Sequence, residues 1–150
     1  MKAVIQRVTH AEVAVDGAVV GSCGKGLLVL LGVAQGDTEK EVETLCKKIV
    51  NLRIFQDEAG KMNRSVLDID GEMLVISQFT LMANCRHGNR PDFLASAKPA
   101  EAIPLYESFK KLAAESVRRV ECGIFGADMK VSLLNDGPVT IVLDTDTLKK

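Results

Sequence analysis

The chain has 150 residues, 47% of them hydrophobic and 26% charged, a size and balance that fit one soluble domain with a core of its own. Its net charge of −1 excludes a broad phosphate-gripping surface, because affinity of that kind comes largely from counterion release at a basic face. The longest apolar run, Leu27 to Leu31 continued through Gly32 to Ala34, is far too short to span a bilayer, so no membrane partner is expected. Residues 1–30 carry no signal-peptide progression. Cys23, Cys46, Cys85 and Cys122 are widely spaced with no C-x-x-C pair, which points to reduced thiols and a cytoplasmic location. No motif calls for a metal or a cofactor.

In chain order, Met1–Val8 is rich in β-formers, with Arg7 lying among Val4, Ile5 and Val8. Asp16-Gly17 between Val13–Val15 and Ala18–Val20 predicts a type I′ hairpin. Gly24-Lys25-Gly26 turns the chain into a buried strand, Leu27–Ala34, in which Gly32 suggests a bulge or a close backbone approach. Asp37–Val50 is the first helix: Thr38 and Glu41 fit a capping box, and Val42, Leu45, Cys46, Ile49 and Val50 form one apolar stripe. A short strand, Arg53-Ile54-Phe55, leads to a turn at Asp57–Gly60. Met73–Ile76, after the turn signal Asp70-Gly71, is a strand buried on both faces.

Asn84–Lys98 is a polar loop carrying Arg86, His87 and Arg90, and loops of that length are usually functional or mobile. The second helix starts near Pro99 or Pro104 and runs to about Val120. Its stripe is Leu105, Phe109, Leu112, Ala113, Val117 and Val120, with Glu107/Lys111 and Glu115/Arg119 paired on the wet face. Three β segments close the chain, Glu121–Phe125, Met129–Leu134 and Val139–Leu143, the last two joined by a tight turn at Asn135-Asp136-Gly137-Pro138. Two hairpins argue for antiparallel pairing, and the sum is an α+β fold, a curled antiparallel sheet covered by two helices.

Two stretches carry candidate chemistry. Ser77, Gln78 and Thr80 place two hydroxyls and an amide at the end of a buried strand, where unsatisfied polar groups cost about 1–3 kcal/mol each. They serve either a structural network or a substrate. Asn135-Asp136-Gly137-Pro138-Val139-Thr140 reads, taken alone, as a tight turn; its functional reading is a cis Pro138 that displays carbonyls in a fixed geometry. The plain readings of the single residues are strand-end hydroxyls for Ser77 and Thr80, core for Met129, a surface ion pair for Arg7 and a structural role for His10. Cys85, with no base nearby in sequence, reads as inert.

Taken together, Ser77–Leu81, Phe125–Leu133 and Asn135–Thr140 resemble the signatures of D-aminoacyl-tRNA deacylases, and the likeness continues through Val4–Val8, Gly26–Val33, Gly60–Asn63 and Arg90-Pro91. It spans the whole chain in order. The loop departs from the family pattern at His87, where relatives carry Lys or Arg, and at Asp92, where they carry Ser, which makes any tRNA contact there sensitive to pH. The resemblance implies a barrel-like core and a homodimer in which Gly137-Pro138 of each subunit reaches into the other's site, held by Arg7. Ser77, Gln78, Phe79 and Thr80 would line the pocket for the adenosine end of tRNA and the ester, with Met129 and Ala102 beside the ribose and the base.

Such a site answers a physical problem. D- and L-esters differ by exchanging H and side chain at one carbon, and attractive contacts separate them poorly, since a pocket methylene is worth only about 1–3 kcal/mol. A backbone wall placed where the L side chain must go excludes that isomer. Glycine passes the same screen, so glycyl-tRNA is an expected side substrate. Hydrolysis then runs either through Thr80 as nucleophile, which needs an adjacent base, or through water assisted by the terminal ribose 2′-OH with backbone donors near Phe79 holding the oxyanion. The second is favoured, as only His10 and His87 are on offer as bases. The rivals are a Thr80- or Ser77-dependent esterase of small esters and a non-catalytic dimeric RNA-binding module.

Overall fold

Asp16 and Gly17 both take positive φ, 51° and 82°, as a type I′ turn demands, and join β1 (Lys2–Val15) to β2 (Ala18–Cys23) in an antiparallel hairpin. The computed structural model describes residues 1–148. β1 is the spine of the molecule. Its first half pairs with β3 (Gly26–Gly32), its second half with β2, and its other edge along nearly its whole length with β8 (Lys130–Asp144).

β3 pairs with β6 (Glu72–Ser77) and β6 with β7 (Arg119–Cys122), both in parallel, giving the order β2-β1-β3-β6-β7 with β8 beside β1. The α+β class with two covering helices holds, but this half of the sheet is parallel where antiparallel pairing was expected. The reason is visible in the residues. Leu27, Val29, Leu31, Met73 and Val75 face the helices while Leu28, Leu74 and Ile76 face a second, inner cluster, so these strands are buried on both sides as parallel strands are. The long crossovers that parallel pairs require contain α1 (Glu39–Val50) and α2 (Pro99–Ala114). A two-stranded ribbon, β4 (Phe55–Gln56) with β5 (Met62–Arg64), lies in the first. The sheet curls until its end strands meet: the Ser22 N–H on β2 donates to Glu121 Oε1 on β7 at 2.8 Å, which nearly closes a barrel.

α1 begins as its sequence predicts, with Thr38 and Glu41 closing a reciprocal capping box, and its five stripe residues are all buried. α2 stops at Ala114, six residues before the expected end at Val120. The β-branched Val117 is buried beyond the helix and Val120 lies in β7. The expected i,i+4 pairs give way accordingly. Lys110 pairs with Glu107 at 2.8 Å, and Arg119 turns to Glu72 on the neighbouring β6 and to Glu121 on its own strand. Glu72 is a buried carboxylate satisfied by the Gly24 N–H at 2.7 Å and Arg118 Nη2 at 2.7 Å.

The expected turn at 135–138 is absent as a reversal. β8 runs through it as one strand, and its register on β1 jumps from Thr140 opposite Gln6 to Asn135 opposite Val8. Four residues, Asp136–Val139, therefore face the single Arg7 and bulge out of the ladder. Pro138, with no N–H to give, sits where no ladder bond is asked of it. No helix among the described residues is long and apolar enough to cross a membrane.

Candidate active site

β6 delivers the site by running out of core. Five buried residues, Glu72–Ile76, lead to half-buried Ser77, and the chain then leaves the sheet. The Gln78 N–H still bonds the Leu31 carbonyl on β3 at 2.8 Å, after which Phe79–Met82 form one 3₁₀ turn anchored by buried Met82. Gly32 makes this possible. A Cβ there would lie 3.0 Å from the Gln78 carbonyl oxygen and 3.1 Å from Met82 Cε, so the close approach read from the sequence is the one observed. Phe79 occupies the first position of the turn, where the ladder provides its N–H no acceptor.

Two cavities of about 280 Å³ each lie on either side of Ser77-Gln78-Phe79. The first is walled by apolar side chains including Leu31, Val33, Ala102 and Tyr106. The second is walled by Ile76, Ala127, Asp128, Met129 and Val131, and Phe125-Gly126 borders both. The structure thus brings Ser77, Gln78, Phe79, Ala102 and Met129 together, with Ala102 and Met129 on opposite sides. Thr80 is exposed, lines neither cavity, and accepts a hydrogen bond from the Gln78 amide. His10 and His87 are both exposed, one on β1 and one in the polar loop.

Residues that sequence reasoning passed over complete the walls. Tyr106 is buried on α2, donates its hydroxyl to the Val75 carbonyl at 2.9 Å and meets the Phe125 ring at 6.2 Å. Burial pushes its phenol well above the usual range, and its ring forms part of the wall of the first cavity. Phe93, at the foot of the polar loop, meets Phe79 edge-on at 5.1 Å, while Asn84 and Asp92 close that loop with paired backbone bonds of 2.8 and 3.0 Å. Buried Gly123 leaves room for Met129, since a Cβ there would collide with the Met129 sulfur. Only its place beside the Phe125 motif could have signalled it.

Arg7 and the Gly137-Pro138 corner form a separate group. Arg7 is only 6% exposed, so it is no surface group, although it keeps the ion pair of its plain reading, Nε to Asp136 Oδ2 at 3.6 Å. Its Nε donates to the Asp136 carbonyl at 2.8 Å and Nη1 to the Ile54 carbonyl at 2.7 Å. The guanidinium thus grips the residue before the corner and ties it to the segment leading into β4. Gly137 and Pro138 are exposed, their peptide is cis, and neither lines either of these two cavities. Cys23 and Cys46 are buried, their thiols pushed up to about 11 by that burial, and all four cysteines are free.

Residues 4–144 match the family model described as D-Tyr-tRNA(Tyr) deacylase. The chain belongs to that family. A D-aminoacyl-tRNA deacylase of Geotalea uraniireducens is 59% identical over 150 residues, covering 100% of this chain and 97% of that one. Another, from Ruegeria pomeroyi, is 62% identical over 145 residues, covering 96% and 99%. A solved structure described as a c-Myc DNA Unwinding Element Binding Protein is 46% identical, with a TM-score of 0.91 over 96% of this chain and 98% of that one. A further solved structure shares the fold alone, at 14% identity and a TM-score of 0.82. The deacylase resemblance read from the sequence motifs is borne out, and with it the expectation of an enzyme rather than a binding module.

Proposed function

We propose that this deacylase hydrolyses the ester of D-aminoacyl-tRNA in the cytoplasm, releasing D-amino acid and tRNA, and that it rejects L-esters by steric exclusion. The 3′-terminal adenosine and the aminoacyl group occupy the two cavities that meet at Ser77-Gln78-Phe79. The reacting carbonyl lies at the junction, where the Phe79 N–H, with no acceptor in its own turn, faces the developing oxyanion. A backbone donor in such a place is worth about 2.7–4 kcal/mol. Ser77 and Gln78 orient the ester and ribose, and Met129 and Ala102 pack on either side of them.

The observation that carries the mechanism is the environment of Thr80. Its hydroxyl is bonded to an amide, which has no basicity, and not to a histidine or carboxylate. That supports water as the nucleophile, with the ribose 2′-OH of the substrate assisting and the protein positioning.

The chiral screen is the Gly137-Pro138 corner of a second copy. The corner is exposed and lines neither of the two cavities in its own chain, and Arg7 holds its base by a bond of 2.8 Å. A homodimer that inserts it beside the partner's cavities places main chain where an L side chain must go. Glycine has no side chain to exclude, so glycyl-tRNA is hydrolysed too. The decisive experiment incubates the protein with D-Tyr-tRNA, L-Tyr-tRNA and Gly-tRNA and follows ester loss. Hydrolysis of the D and glycyl esters with the L-ester spared is expected; equal rates on D and L, or none on either, refute the reading.

A further inference from the structure

We infer that the Asn135 side-chain amide is a positioning residue for stereochemical rejection: it closes the neck of the bulge that projects Gly137-Pro138. The inference rests on reading that corner as the chiral screen. Because Asp136–Val139 all stand opposite Arg7, the regular ladder is interrupted there, and the backbone groups at the neck lose their strand partners. One side chain replaces them. Asn135 Nδ2 donates to the Arg7 carbonyl at 3.0 Å and to the Val139 carbonyl at 3.0 Å, and Asn135 Oδ1 accepts from the Val139 N–H at 3.3 Å. Both amide hydrogens and the amide oxygen are thereby in use.

These bonds join three points: the spine strand, the residue entering the bulge and the residue leaving it. The Arg7 guanidinium grips the rim one residue further out, at the Asp136 carbonyl. Gly137 and Pro138 stand exposed beyond both, so their direction is set by the neck and the rim. Asn is the residue type this task needs. Aspartate has the same shape but no donor, and would set a carboxylate against two carbonyl oxygens. Alanine leaves all three backbone groups unmatched.

The test measures ester loss from D-Tyr-tRNA and L-Tyr-tRNA for wild type, Asn135→Asp and Asn135→Ala, alongside melting temperature. Loss of an amide that merely stabilises the fold lowers the melting temperature and scales both rates by one factor. Loss of a positioning amide raises the ratio of L to D hydrolysis, by about tenfold for the two donated hydrogen bonds that Asn135→Asp removes at the neck. An unchanged ratio in folded variants overturns the inference and leaves the deacylase reading intact. Failure of the wild type itself to distinguish D from L overturns the underlying reading instead. Should neither variant fold, Asn135→Gln, which keeps the amide but displaces it by one methylene, carries the same measurement with the same two outcomes.

Discussion

At Thr80 and Phe79 the division of labour between side chain and main chain becomes testable. Thr80→Ala removes a hydroxyl whose partner is Gln78, so deacylation is expected to fall by about tenfold or less, whereas a lost nucleophile costs about 10⁴-fold or more. Single-turnover rates on D-Tyr-tRNA separate the two. Phe79→Pro deletes the proposed oxyanion donor at the first position of a 3₁₀ turn, a place where proline fits. A drop of about 10²–10³-fold in kcat is expected, with Phe79→Ala, which keeps the N–H, losing much less. Gly123→Ala drives a methyl into the Met129 sulfur and pushes that side chain toward the second cavity. A raised KM with a smaller change in kcat is the expected signature, since the cavity narrows while the donors stay in place.

Among the elements, β6 and its neighbours carry the stability argument. Glu72 opens β6 at the seam between the barrel ends, and its pKa is lowered from 4.5, first by the Gly24 N–H and then by Arg118 and Arg119, against the opposing effect of burial. A carboxyl with a depressed folded-state pKa binds its proton more readily when unfolded. Its stabilising contribution is therefore complete above the unfolded pKa near 4.5 and drains away as pH falls through the lower folded value. Urea titrations between about pH 3 and pH 7 are expected to show this loss in the wild type and a flatter profile in Glu72→Gln, which at pH 7 costs about 1–2 kcal/mol because Arg118 is half exposed. α1 was legible in advance because its information is local, a capping box and a stripe on one helix face. The extent of α2 was not: Val117 and Val120 continue its helical spacing, yet the parallel ladder on β6 claims Val120 for β7.

For the molecule as a whole, the separation of the corner from its own chain's cavities makes a prediction about assembly. Arg7→Ala leaves the Asp136 and Ile54 carbonyls without their guanidinium, and loss of L-rejection is expected together with a stability cost of about 2–3 kcal/mol. If the screen comes from a neighbouring copy, mixing this unselective variant with an excess of Phe79→Pro chains restores selectivity, because each working site then borrows an intact corner. Hydrolysis of L-Tyr-tRNA is expected to fall on mixing while that of D-Tyr-tRNA persists, and sedimentation is expected to show a dimer. L-ester hydrolysis unaffected by mixing places the screen within one chain.

The sequence by itself determined what depends on neighbours in the chain: the Asp16-Gly17 hairpin, the cap and stripe of α1, the doubly buried β6 that ends in Ser77-Gln78-Phe79, and the close approach at Gly32. It also carried enough motif in Ser77–Leu81, Phe125–Leu133 and Asn135–Thr140 to mark the family. Only the tertiary structure decided that β3, β6 and β7 run parallel, because parallel and antiparallel partners can present the same doubly buried apolar run. It alone turned the supposed reversal at 135–138 into a bulge, since that depends on β1 being long enough to template both halves of β8. It alone placed Tyr106 on a cavity wall, Gly123 behind Met129 and the Asn135 amide across the neck, for those contacts join residues whose separation in sequence says nothing of their distance in space.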